Sequence, residues 1–160
     1  MKNLFKMKNI TYHIILALFL VSLISSIVLS TQSISEVCEV GSVWNCEIIY
    51  ASGYNSFLGI QNSYYGVVIF TLLILLTLSH LINPSQNKKA LINLSIIGGS
   101  LIALYFLYLQ HFVLQAYCKY CLIVDFSILI CLALIVPELK KGFKSLKLQT
   151  KNEEDIAAGS

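Results

Sequence analysis

The sequence predicts an all-α integral membrane protein, a bundle of four transmembrane helices with an outer loop that carries a redox cysteine pair. Three observations predict it. Of 160 residues, 57% are hydrophobic and only 12% charged, and the mean hydropathy of +0.77 is far too apolar for a soluble domain of this length. Four stretches reach or approach the ~20 residues that cross a hydrocarbon layer. The charges that remain are distributed very unevenly along the chain.

The first helix is expected at 10–29. Lys2, Lys6 and Lys8 precede it, as they would a signal peptide. Its apolar run is longer than a typical signal core, however, and Ser30-Thr31-Gln32 is a poor cleavage site, so it is read as retained. The second and third helices are expected at 63–82 and 90–110. Gly98-Gly99-Ser100 would let the third pack closely on a neighbour. The fourth is expected at 118–136, with its apolar run starting at Tyr120 and holding the sole acid of the four spans, Asp125. Short connections after Ile82 and Gln110 favour an antiparallel bundle. These helices, with an outer loop over 30–62, make one domain over 1–137. Residues 138–160 read as a basic cytosolic tail, disordered from Lys151 onward.

All eleven basic residues are lysines, and ten fall on one side: three before the first helix, Lys88 and Lys89 between the second and third, and five after the fourth. The segment 30–62 carries Glu36, Glu39 and Glu47 and no base. The positive-inside rule therefore puts both termini in the cytosol and this loop outside. A cell membrane is expected, with the endoplasmic reticulum as the alternative; the chain ends in no retention address. A nucleic-acid partner is not expected.

Four of the five cysteines share the outer side: Cys38 and Cys46 in the loop, Cys118 and Cys121 where the fourth helix begins. On an oxidising face such thiols pair or exchange. At about 100° per residue, Cys121 and Asp125 lie about 60° and about 20° from Cys118, on one stripe. Cys131 falls about 140° away and ~20 Å deeper, and reads as a small buried apolar residue. A C-x-x-C pair at a helix start suits a bond that opens and closes, because the pair sits at disulfide distance and unpaired N–H groups favour thiolate. Cys38 and Cys46, with seven residues between them, could equally form a static loop disulfide; the company of a second dithiol favours a relay by exchange. A zinc site of Cys38, Cys46, Cys118 and Cys121 is chemically open, but no metal is expected because the loop spacing is loose. A bundle with two static disulfides is the remaining non-catalytic reading.

Several of these features occur together in one known family. The C-x7-C of the first outer loop, Ser52 six residues after its second cysteine, the run Asn62-Ser63-Tyr64-Tyr65-Gly66 opening the second helix, and the C-x-x-C opening the fourth resemble the vitamin K epoxide reductase family over about residues 10–137. The resemblance implies that Cys38 meets a reduced partner, that Cys46 passes electrons to Cys118, and that Cys121 faces a quinone of menaquinone, ubiquinone or vitamin K type. Ser52 would help hold the loop, and Asn62 would hydrogen-bond a quinone carbonyl. In animal members a tyrosine four residues after the last cysteine gives a second contact. Here that position is Asp125, which if neutral could donate a hydrogen bond to a quinone oxygen; a carboxylate hydrated at the bundle mouth or paired with Lys119 is the plainer reading.

The implied activity is oxidation of a separate thioredoxin-fold carrier on the outer side with reduction of a membrane quinone. Reduction of vitamin K epoxide in the endoplasmic reticulum is the alternative within the family. Tyr50, Tyr54, Phe57, Leu58 and Ile60 make the loop's distal half amphiphilic, suited to cover the bundle and bring Tyr50 to the quinone, or equally to anchor at the interface. Trp44 lies between the loop cysteines. His13 and His80 fall at the cytosolic end, and His111, on the cysteine side, reads as structural.

Overall fold

The computed structural model describes residues 2–31 and 56–158. Helix α1 spans Lys2–Thr31, α2 Asn62–Ile82, α3 Gln86–Tyr108 and α4 Lys119–Ala158. A π-helical segment, Leu109–Leu114, prolongs α3. Two-residue strands β1 (Ser56–Phe57) and β2 (Ile60–Gln61) form an antiparallel hairpin before α2. Each of the four helices contains a stretch long and apolar enough to cross a membrane, so the chain is an integral, multi-pass membrane protein with the expected helical bundle.

The helices close a ring in chain order, α1 against α2, α2 against α3, α3 against α4, and α4 back against α1. Each buries residues at helical spacing: Tyr12, Ile15 and Phe19 on α1; Phe70, Leu73 and Ile74 on α2; Ile92, Ile96 and Ala103 on α3; Ile128, Cys131 and Ile135 on α4. The opposite faces are also apolar, with Leu72, Leu94 and Leu101 exposed. A helix apolar all round that buries only one face belongs in lipid, where hydrocarbon covers the other.

Small residues set the closest approaches. A Cβ added to Gly66 would lie 2.7 Å from Ser26 Oγ, so α1 and α2 meet there nearly backbone to backbone. Gly99 faces Ile128 across the α3–α4 seam, where a Cβ would lie 3.2 Å from its Cγ1, whereas Gly98 faces open space. Only the second glycine of the predicted packing motif therefore brings helices together. In a bilayer such approaches replace the hydrophobic drive that water would supply.

The α2–α3 turn is held by one side chain. Lys88 Nζ donates to Ser79 Oγ at 2.8 Å, to the Ser79 carbonyl at 3.2 Å and to the Asn83 carbonyl at 3.3 Å. It supplements the Asn83 N–H that already reaches the Ser79 carbonyl and satisfies the Asn83 carbonyl beyond the helix end, and Pro84 stops the helix from continuing. At this end His80 is buried with its ring 4.8 Å from that of Tyr12, a packing contact.

Two expectations are corrected, and one left even between two readings is narrowed. The helices α1 and α3 run beyond their apolar cores, α1 from Lys2 and α3 from Gln86, because the flanking lysines are good helix formers that apolar counting overlooks. The tail is helical through Ala158 rather than disordered from Lys151; its Lys, Leu, Gln, Glu and Ala favour helix, and Pro137 removes only one backbone donor at the end of the span. The distal loop at 56–61 is a hairpin whose turn residues Leu58 and Gly59 have φ of 54° and 80°, as a two-residue turn matched to strand twist requires. Leu58 is 84% exposed and Ile60 also faces outward, so among the described residues the hairpin does not lay these side chains over the bundle. Tyr50 and Tyr54, also assigned to that surface, lie outside the described residues.

Candidate active site

The end of α3 prepares the site. The π-helical turn Leu109–Leu114 closes on Gln115 in the left-handed region, φ 49° and ψ 29°, which ends the helix and turns the chain toward α4. The chain therefore reverses within four residues, and Ala116 and Cys118 are drawn into the bundle. A π-turn adds a residue to the helical repeat and so re-aims the side chains around it. Here Gln110, 3% exposed, is directed inward.

Cys118 caps α4. Its carbonyl accepts the Leu122 N–H at 3.0 Å, and its Sγ accepts the Cys121 N–H at 3.4 Å. The sulfur thus does what a serine or aspartate oxygen does at a helix start, taking one of the donors that have no partner within the helix. The predicted helix boundary at 118 was one residue early, and that residue matters: Cys118 is the cap and not the first helical position. It is 1% exposed, while Cys121, one turn on, is half-buried. The two are not bridged to each other. A hydrogen bond from the Cys121 thiol lowers the Cys118 pKa from its ordinary value to about 7, with burial opposing and the Cys121 and Tyr120 amides assisting.

Asp125, one turn beyond Cys121, is 5% exposed and takes a hydrogen bond at 3.4 Å from Gln110 Nε2. The other end of the same amide, Oε1, accepts the Cys118 N–H at 3.3 Å. Among the described residues the carboxyl's hydrogen-bond partner is Gln110 and not Lys119.

The structure thus brings together Cys118, Cys121 and Asp125, as the stripe predicted. Asn62 stands at the first residue of α2, half-buried, at the same end of the bundle, where Tyr64 Oη donates to the Ser30 carbonyl at 3.4 Å and ties α2 to the end of α1. Cys38, Cys46, Ser52 and Tyr50, with Trp44, lie outside the described residues, as does the four-thiolate set that needs the loop pair. Cys131 is fully buried in the apolar core, as expected. His111 pairs its Nδ1 with Tyr117 Oη at 2.6 Å and meets Phe112 edge-on, a structural contact at the mouth. Sequence reasoning passed over Gln110, taking it only as the last residue of a span. A lone amide at that depth was the available signal, since a buried polar group needs partners.

Paired thiols at a helix cap, a neighbouring carboxyl and a surrounding bundle of spans define a multi-pass membrane oxidoreductase. The model of the Vitamin K epoxide reductase family matches residues 13–136, and the chain belongs to that family. Its redox chemistry is accordingly quinone-linked in general terms. No curated protein matches the chain.

Proposed function

We propose that the chain is a quinone-dependent thiol-disulfide oxidoreductase that reoxidises a thioredoxin-fold carrier on the extracytosolic side of a cell membrane. In this reading the carrier's dithiol reduces the Cys38–Cys46 disulfide. The loop dithiol then reduces the Cys118–Cys121 disulfide, with Cys46 attacking Cys118. The resulting pair of thiols closes again and releases two electrons and two protons. A bound quinone supplies the sink, accepting both and leaving as quinol.

The observation that carries this reading is the capped C-x-x-C at the outer end of an apolar bundle. Cys118, with its pKa lowered to about 7, is substantially thiolate at neutral pH, and thiolate is the form that exchanges. Cys121 is half-buried beside a carboxyl and an amide that retain hydrogen-bonding capacity. That donor set fits a molecule with two carbonyl oxygens and an apolar ring. Cys121, Asp125 and Asn62 would hold it, and the bundle would keep water from the thiols. Outward placement of the thiols is supported by the lysines, ten of which fall on the other side.

The test is turnover of purified protein in nanodiscs with a reduced thioredoxin-fold carrier and a short-chain quinone, read as quinol formation. Activity that disappears in Cys121→Ala and in Cys38→Ala supports the proposal; carrier that stays reduced overturns it. Asn62 at the opening of α2 keeps vitamin K epoxide in view as a second substrate. Supplying the epoxide in place of quinone decides between them.

A further inference from the structure

We infer that Gln110 is a positioning residue that joins the Cys118 backbone to the Asp125 carboxyl, fixing that carboxyl beside the dithiol as its proton carrier. The inference rests on the thiol-to-quinone reading and deepens it.

The direction of the Gln110 amide is determined by its partners. The Cys118 N–H can only donate, so it must face the amide oxygen; the amide nitrogen is then left to face Asp125. Both side chains are almost wholly buried, where an amide or carboxyl without a partner is costly. Rotating the amide would set nitrogen against the Cys118 N–H and oxygen against the carboxyl, losing both bonds at once. Gln110 therefore locks one carboxyl oxygen, Oδ2, as an acceptor and leaves Oδ1 for a proton. Because the same amide also binds the backbone of the capping cysteine, carboxyl and thiol pair are held in one frame.

The chemistry balances without another reagent. Oxidation of Cys118 and Cys121 breaks two S–H bonds and forms one S–S bond, sending two electrons and two protons to the quinone. Asp125 takes one thiol proton and passes it to a reduced oxygen, ending as it began. A carboxyl fixed within one turn of Cys121 can do this only if it stays in place, and Gln110 is what holds it.

The experiment uses full-length protein in nanodiscs, reduced, freed of reductant and mixed with a short-chain quinone in single-turnover mode. Asp125→Asn is expected to slow the step about 100-fold, as for loss of a proton-transfer group. Gln110→Leu is expected to slow it about 10-fold, with a smaller change in half-saturating quinone. The double variant is expected to be no slower than Asp125→Asn alone, because Gln110 acts through the carboxyl. Losses that multiply, or a change in quinone affinity at unaltered rate, overturn the inference. Gln110→Met, of similar length and volume, repeats the test if Gln110→Leu does not fold.

The redox-difference infrared spectrum supplies an independent readout. A carboxyl band present in wild type and absent in Asp125→Asn should move in Gln110→Met; an unmoved band overturns the inference. Wild-type protein that fails to reduce quinone would instead defeat the underlying functional reading.

Discussion

Cys118 does two jobs with one sulfur, capping a helix and presenting a thiol, and its pKa is lowered chiefly by the Cys121 thiol that donates to it, with the amides at the cap assisting. Donors that satisfy the cap also stabilise negative charge on sulfur. With the value lowered to about 7, the thiolate is present above about pH 7 and lost below it. Alkylation of the reduced Cys121→Ser, Cys131→Ser protein by iodoacetamide should accordingly rise through a midpoint below that of an ordinary cysteine, near pH 8.5. The serine hydroxyl preserves a donor to the Cys118 sulfur. Mass spectrometry of Cys118 labelling against pH checks it, and a midpoint at the ordinary value would refute the influence of the side-chain and amide donors together.

Residue-level legibility tracked helical geometry. Cys118, Cys121 and Asp125 were readable because three positions on one helix share a stripe by spacing alone. Gln110 was not, because it reaches the site through a π-turn and a left-handed residue, Gln115, that no periodic count anticipates. Cys131 was legible for the same reason as the stripe, being turned away from it.

At the scale of elements, apolar length located all four spans, while the ends depended on chemistry that hydropathy does not measure. Lys88 illustrates this: counted as a topological charge, it is also the cap of α2. Lys88→Met should lower stability by about 0.3–1 kcal/mol, the usual worth of a cation at a helix C-terminus. Thermal unfolding in detergent measures it, and no loss would mean water replaces the lysine fully.

The glycines offer a sharper contrast. Gly66→Ala drives a methyl to within 2.7 Å of Ser26 Oγ and should cost about 1–3 kcal/mol by overpacking. Gly98→Ala enters open space on a helix and should gain up to about 1 kcal/mol from propensity. Equal effects of the two in the same unfolding assay would contradict the packing described. The hairpin gives a third case: Leu58 at φ 54° carries strain that glycine would relieve, so Leu58→Gly should leave the spans unaltered and slow proteolysis at the turn.

For the molecule as a whole, an antiparallel ring of four spans puts the openings of α2 and α4 at one end and the Lys88 turn at the other. That arrangement was legible because lysine asymmetry, span number and short connections all agree on it. The proposed orientation predicts that a membrane-impermeant maleimide added to intact cells labels a cysteine at Leu58, in a background with all five native cysteines replaced by serine, and not one at Asn87. The reverse pattern would invert the bundle and detach the thiols from an outer carrier.

The capping sulfur has a mechanical corollary. A Cys118 sulfur bonded to a neighbouring cysteine carries no negative charge, so it would accept the Cys121 N–H more weakly than the thiolate does. In the proposed cycle the strength of this cap would then follow the redox state of the pair.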